Sequence, residues 1–238
     1  MDNNNARKMP GQPEGKKTLV VQISDFIRKY RVVFLAVLAA LLVVFVVIVL
    51  WTTIASATLR NSTIAMEKAE KDFTAWKAEN DQAKKDELLA GLSKSLTGIE
   101  NKWSRSFAGQ QSLILQARIL ESKKDFEGAE KLWVKASEKK ADSYLAPMAL
   151  QGAANAADER GAPEKALEYY NRLITKFSAS SVGLAHAYFS VGRLQEEKKD
   201  YKAALKAYED AISKFPDDDW SKLAKDRVIY INSNNLAK

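Results

Sequence analysis

From Val32 to Trp51 the chain runs through twenty consecutive apolar residues with no charge, no glycine and no proline. A helix of about 20 residues spans the roughly 30 Å hydrocarbon core of a bilayer. A helix that is apolar on every side belongs inside a large core or a membrane. The run predicts a single transmembrane helix, with the remainder of the chain carried on that anchor. Ala55-Ser56-Ala57 has the small residues of a secretory cleavage site. Such signals, however, have an apolar core of about 7–15 residues within a stretch of about 15–30. The longer core, preceded by 31 residues, predicts a retained signal anchor.

Flanking charge sets the expected orientation. Arg7, Lys8, Lys16, Lys17, Arg28, Lys29 and Arg31 precede the run, and Arg60, Lys68 and Lys71 are the first cations after it. The positive-inside bias then keeps the N-terminus in the cytoplasm and sends the C-terminal bulk across, with Tyr30 and Trp51 at the two interfaces. The net charge of +7 divides into +4 over residues 1–31 and +3 over the rest. The basic tail suits anionic lipid headgroups. No basic stripe interleaved with stacking aromatics lies beyond it, so nucleic acid is not an expected partner. The absence of cysteine removes disulfides, thiolate metal sites and thiol catalysis, and also the lipid-bearing cysteine of a lipoprotein.

Residues 1–16 are polar, with Asn3-Asn4-Asn5 and Pro10-Gly11-Gln12-Pro13, and cannot bury enough apolar area to order themselves. Leu19, Val20, Ile23, Phe26, Ile27 and Tyr30 then recur at helical spacing. This predicts either an amphipathic helix on the inner membrane face or an extension of the spanning helix. From Leu59 on, the sequence reads as helical throughout, without the period-two runs of strands. Ile64, Ala65, Ala69, Phe73 and Trp76 form a stripe that continues the spanning helix outward. Asn80-Asp81 and Lys84-Lys85-Asp86 predict a break. Leu88, Leu89, Leu92, Leu96, Ile99 and Trp103 then predict a helix over 87–107.

A repeat governs residues 110–218. Between Ala185 and Asp218 stand Tyr188, Val191, Gly192, Tyr201, Ala204, Tyr208, Ala211 and Pro216. Gly192 and Ala204 let two antiparallel helices approach, Ala211 leaves room for the next helix, the tyrosines fill the gaps, and Pro216 stops the second helix. The same frame from Pro147 gives Leu150, Ala153, Ala154, Ala166, Tyr170, Leu173 and Ser178. From Gln110 it gives Leu113, Gln116, Ala117, Ala129, Trp133, Ala136 and Ala141. Ala129, Ala166 and Ala204 are 37 and 38 residues apart. That exceeds a 34-residue period, so Lys140-Ala141-Asp142 and Ala179-Ser180-Ser181 are where the extra residues are expected. With these residues in this frame, the chain resembles the tetratricopeptide-repeat family.

The resemblance implies an all-α fold: one transmembrane helix, then a right-handed tetratricopeptide-like α-solenoid with a C-terminal capping helix. The expected layout is a basic cytoplasmic tail over 1–31, a transmembrane helix over 32–58 and a helical extension with a half-repeat over 59–109. Three repeats over 110–218 and a capping helix and tail over 219–238 complete it. The same layout is similar to the ancillary subunit of the bacterial Sec translocon, and less closely to the repeat domain of the periplasmic cell-division coordinator. It implies a single-pass protein of the bacterial inner membrane with a periplasmic repeat domain, acting as a scaffold or chaperone-like adaptor. The alternative is a structural subunit of an envelope or cell-division complex with an obligate membrane-protein partner.

His186 is the sole histidine, and no P-loop pattern or Ser–His–acid arrangement occurs. Paired carboxylates such as Glu196-Glu197 read as solvated helix faces. Neither an enzyme nor a cofactor is expected. Function should lie on the concave side, which the first helix of each pair lines. In the repeat register that side receives Gln111, Ile114, Arg118 and Glu121, then Met148, Gln151, Asn155 and Asp158, then His186, Phe189, Arg193 and Glu196. Only Asn155 fits the lysine-and-asparagine pattern of repeats that clamp a C-terminal carboxylate. The expected ligand is therefore a short apolar or amphipathic peptide segment of another protein.

Overall fold

The computed structural model describes residues 18–177 and 183–238. Nine α-helices form among the described residues: α1 (Leu19–Ala78), α2 (Gln82–Lys102), α3 (Phe107–Ser122), α4 (Phe126–Lys139), α5 (Leu145–Glu159), α6 (Pro163–Lys176), α7 (Leu184–Glu197), α8 (Tyr201–Lys214) and α9 (Asp219–Ser233). The chain divides into two compact units, one ending at Ser56 and the other beginning at Ala57.

In the first unit every residue from Leu19 to Ser56 is exposed, and the helix is long and apolar enough to cross a membrane. Of the two expectations for Leu19 to Tyr30, the helical extension is the one observed, because α1 begins at Leu19 without a break before the apolar run.

The second unit is built from helix pairs. Met66, Ala69 and Trp76 of α1 share an apolar cluster with Leu92, Leu96 and Ile99 of α2 and with Ala108, Leu115 and Ile119 of α3. The helix expected over 87–107 is displaced. It starts at Gln82, because the Asp81 side chain accepts from the Lys84 backbone N–H and caps it. It stops at Lys102, and Ser106 then caps α3 by accepting from Gly109 N–H. Lys84-Lys85-Asp86 is a charged first helical turn rather than a break.

Then α3 pairs with α4, α5 with α6 and α7 with α8, each pair packing on the next, and α9 closes the array against α7 and α8. The turn within each pair repeats one geometry. Lys124, Gly161 and Lys199 all adopt the left-handed conformation, with φ of 62°, 76° and 62°. The next residue's N–H reaches back 2.9 Å to the carbonyls of Leu120, Ala157 and Gln195, respectively. This is the hydrogen-bond closure that ends a helix on a left-handed residue. Asp125 and Asp200 then cap α4 and α8, and Pro163 opens α6 without needing its missing N–H. Ala129, Ala166 and Ala204 are fully buried, as the repeat frame requires. The loop 140–144 between α4 and α5 holds one expected insertion; the other, Ala179-Ser180-Ser181, lies outside the described residues.

Gly152 and Gly192 are packing positions against aromatic rings. A Cβ on Gly192 would stand 2.5 Å from the Tyr208 ring, and one on Gly152 would stand 2.5 Å from the Trp133 ring. Gly98 on α2 has nothing within 4 Å of that position. Gly192→Ala is therefore expected to cost about 1–3 kcal/mol through overpacking. Gly98→Ala should stabilise by up to about 1 kcal/mol through helix propensity. Urea unfolding of both variants checks the contrast, and a Gly192→Ala protein as stable as the parent would refute the close approach.

Candidate protein-binding face

Of the twelve residues that the repeat register assigns to the concave side, the structure places some in the open and others inside. Ile114 is a correction. It is 2% exposed and belongs to the main core cluster, so it faces the interior of the array rather than the concave surface. Arg118 is exposed and Met148 is 36% exposed. Gln111 of α3 hydrogen-bonds Glu70 of α1.

The remaining polar members are mostly engaged within the array. Asn155 Oδ1 accepts from Tyr170 Oη at 2.6 Å, Glu121 accepts from Trp133 Nε1 at 2.6 Å, and Glu196 accepts from Tyr208 Oη at 3.0 Å. In each repeat, then, the large aromatic of the second helix donates to the concave edge of the first. Arg193 pairs with Asp158 and Glu197, and Glu196 also takes Arg227 of α9. These bonds join α5 to α7 and α7 to α9. Burial raises the Glu121 carboxyl, against the lowering effect of its Trp133 bond. Burial and the neighbouring Glu196 likewise raise the Tyr208 hydroxyl.

One open part of the face is a concavity of about 920 Å³, whose walls include Tyr144, Pro147, Met148, Gln151, Asn155, His186 and Trp220. Tyr144 and Trp220 were not legible from the repeat register. Tyr144 sits in the α4–α5 turn, 75% exposed, with its ring on Phe107 at 5.2 Å. Trp220 lies in the first turn of α9, where Asp218 caps the helix by accepting from the Trp220 N–H. Its ring stands 4.4 Å from His186 and 5.3 Å from Phe189, centroid to centroid. The triplet Asp217-Asp218-Asp219 marks that helix start in the sequence, and a tryptophan directly behind it was the available signal. Phe189, half-buried, is thus partly covered by Trp220 of α9. Among the described residues, no group of three or more His, Asp or Glu is placed to hold a metal ion.

The comparisons with known proteins agree with this geometry. Residues 185–218, which cover α7 after its first residue, all of α8 and the turn that follows, match a tetratricopeptide-repeat family model. Residues 148–180, covering most of α5 and all of α6, match a second tetratricopeptide-repeat model. A "TPR repeat-containing protein" of Treponema pallidum (strain Nichols) is 34% identical over 151 residues, 63% of this chain. The match covers 61% of that relative, so the chain spans about three fifths of its length. Stacked helix pairs, buried alanines at the repeat positions and two family matches over consecutive pairs show that the chain carries tetratricopeptide repeats, together with an N-terminal helix long and apolar enough to cross a membrane.

Proposed function

We propose that the protein is a membrane-anchored adaptor of the bacterial envelope, with its N-terminus in the cytoplasm and its repeats in the periplasm. It binds apolar or amphipathic segments of partner proteins on the concave face, by binding alone. The observation that carries this reading is the concavity of about 920 Å³, in which Tyr144, Met148 and Trp220 offer apolar surface beside the amides of Gln151 and Asn155. Aromatic anchors beside a few amide groups suit peptide side chains and main chain together. The excess of cations before the apolar run supports the orientation. The relative in Treponema pallidum supports a bacterial setting. The resemblance of the layout to the ancillary translocon subunit supports a post beside the protein-translocation machinery, where exported chains emerge.

A second reading, an obligate subunit of one envelope complex, is favoured by apolar side chains left exposed on α9. There Leu223, Ile229 and Tyr230 are 47%, 64% and 48% exposed. Photo-reactive residues at Met148 and, separately, at Leu223 in cells separate the two. Adducts from Met148 to translocon subunits or many exported chains are expected. Adducts only from Leu223, to one recurrent membrane protein, would replace the adaptor by the obligate subunit.

A further inference from the structure

His186 sits where α5, α6, α7 and α9 meet on the wall of the concavity. From α5, Gln151 Nε2 lies 2.9 Å from its Nδ1. On α7 itself, Ser190 Oγ lies 3.4 Å from its Nε2. From α9, Trp220 meets the imidazole edge to face at 4.4 Å, and from α6 the Tyr170 ring stands at 6.0 Å. The charged groups that face it are Arg193 of α7, Asp158 of α5 and Asp218 at the start of α9. Asp158 is already paired with Arg193, and Asp218 is held as the α9 cap.

We propose that His186 is a proton-operated latch for α9, which loosens from α7 when the imidazole is charged and so uncovers Phe189 on the concave face.

In the tautomer that carries its proton on Nε2, the neutral ring accepts from the Gln151 amide at Nδ1 and donates from Nε2 toward Ser190. A proton on Nδ1 sets an N–H against the Gln151 N–H₂ and adds a positive charge beside the Arg193 guanidinium, under the cover of Trp220. Moving Trp220 away lets water reach the charge; burial is the largest influence on the ring and outweighs the attraction of Asp218 that release gives up, so protonation and release of α9 favour one another. Burial and Arg193 hold the His186 pKa below the ordinary 6.5. With the docked value the lower one, docking strength is constant above about pH 6.5. It weakens as pH falls through that value and levels off below the docked one. That the uncovered Phe189 serves a partner rests on the proposed adaptor role of the concave face; the latch itself does not.

The test is amide hydrogen exchange across α9 in the full chain in lipid nanodiscs, corrected for intrinsic rates, at about pH 8 and about pH 5.5, a range in which histidine is the side chain that ordinarily changes charge. In the parent, protection over Asp219–Ser233 should fall severalfold at the lower pH while that of α4 holds. In His186→Gln, which keeps a neutral polar side chain, α9 protection should not change. Equal protection of the parent at both values, or an equal fall in the variant, overturns the latch. A magnetic-resonance titration of the single imidazole in the parent needs no variant. Its midpoint should lie below 6.5 and coincide with the loss of α9 protection, and an imidazole that titrates while α9 stays protected also overturns the latch. No partner enters either experiment, so a failed latch is distinguishable from a failed adaptor.

Discussion

Trp133→Ala is expected to lower stability by about 3–5 kcal/mol, the range for truncating a large buried aromatic. Trp133 is 4% exposed. Its ring covers Gly152 of α5, where a Cβ would stand 2.5 Å away, and its indole N–H donates to Glu121 of α3 at 2.6 Å. One side chain of α4 thereby ties its own repeat together and holds the next. In a solenoid, stability is close to a sum of repeat terms and nearest-neighbour interface terms. The loss should therefore fall on the α4–α5 junction and not spread evenly. Hydrogen exchange should show α3 and α4 opening at lower urea than α7 and α8, where the parent opens them together. Trp133→Phe keeps most of the ring and leaves Glu121 without its donor, which costs about 1–3 kcal/mol. A Trp133→Ala chain that unfolds at the parent's urea midpoint would show that the indole does not couple the repeats.

What the sequence discloses of this architecture depends on how each residue is constrained. Ala129, Ala166 and Ala204 are legible because only a small residue fits where two helices cross, so the constraint appears in residue identity. The turn at Lys124, Gly161 and Lys199 is legible only in part. Glycine marks the left-handed site in one repeat, but lysine occupies it in the other two, where the closing hydrogen bonds at 2.9 Å offset the conformational cost. The limits of α2 are hidden for a related reason. Lys84-Lys85-Asp86 serves equally as a loop or as a solvated first turn, and the cap at Asp81 decides.

The concave face is less legible still. A register position gives a direction along one helix but not what a neighbour lays over it. Ile114 is enclosed in the main core cluster, and Phe189 is partly covered by a tryptophan 31 positions further along the chain. Trp220 and Tyr144 lie outside the first helices of the repeats, so no repeat pattern nominates them. The polar positions carry a further ambiguity. Glu121, Asn155 and Glu196 have the composition of a binding surface, yet each accepts from an aromatic of its own repeat.

Arginines at Leu41 and Val44 together are expected to keep the chain out of the membrane. Both positions lie near the middle of the apolar run, and both are exposed, at 61% and 54%. Each arginine at the centre of a spanning helix costs about 2.5–3.5 kcal/mol, so the pair removes about 5–7 kcal/mol from insertion. After alkaline carbonate extraction the parent should remain with the membranes, and the Leu41→Arg, Val44→Arg chain should appear in the supernatant. A parent released by carbonate would show that the run does not span. A variant that stays embedded would show that the run is not what holds the chain. The repeats should survive the change, because the apolar clusters of the second unit begin at Ala65 and include no residue of the run. Circular dichroism of the released variant should therefore keep the helical signal of the stacked pairs. If it does, the segment that fixes where the protein resides and the segments that fix what it can bind are energetically separate. Substitutions in the run then change location with the concave face intact, and substitutions such as Trp133→Ala change the solenoid with the anchor intact.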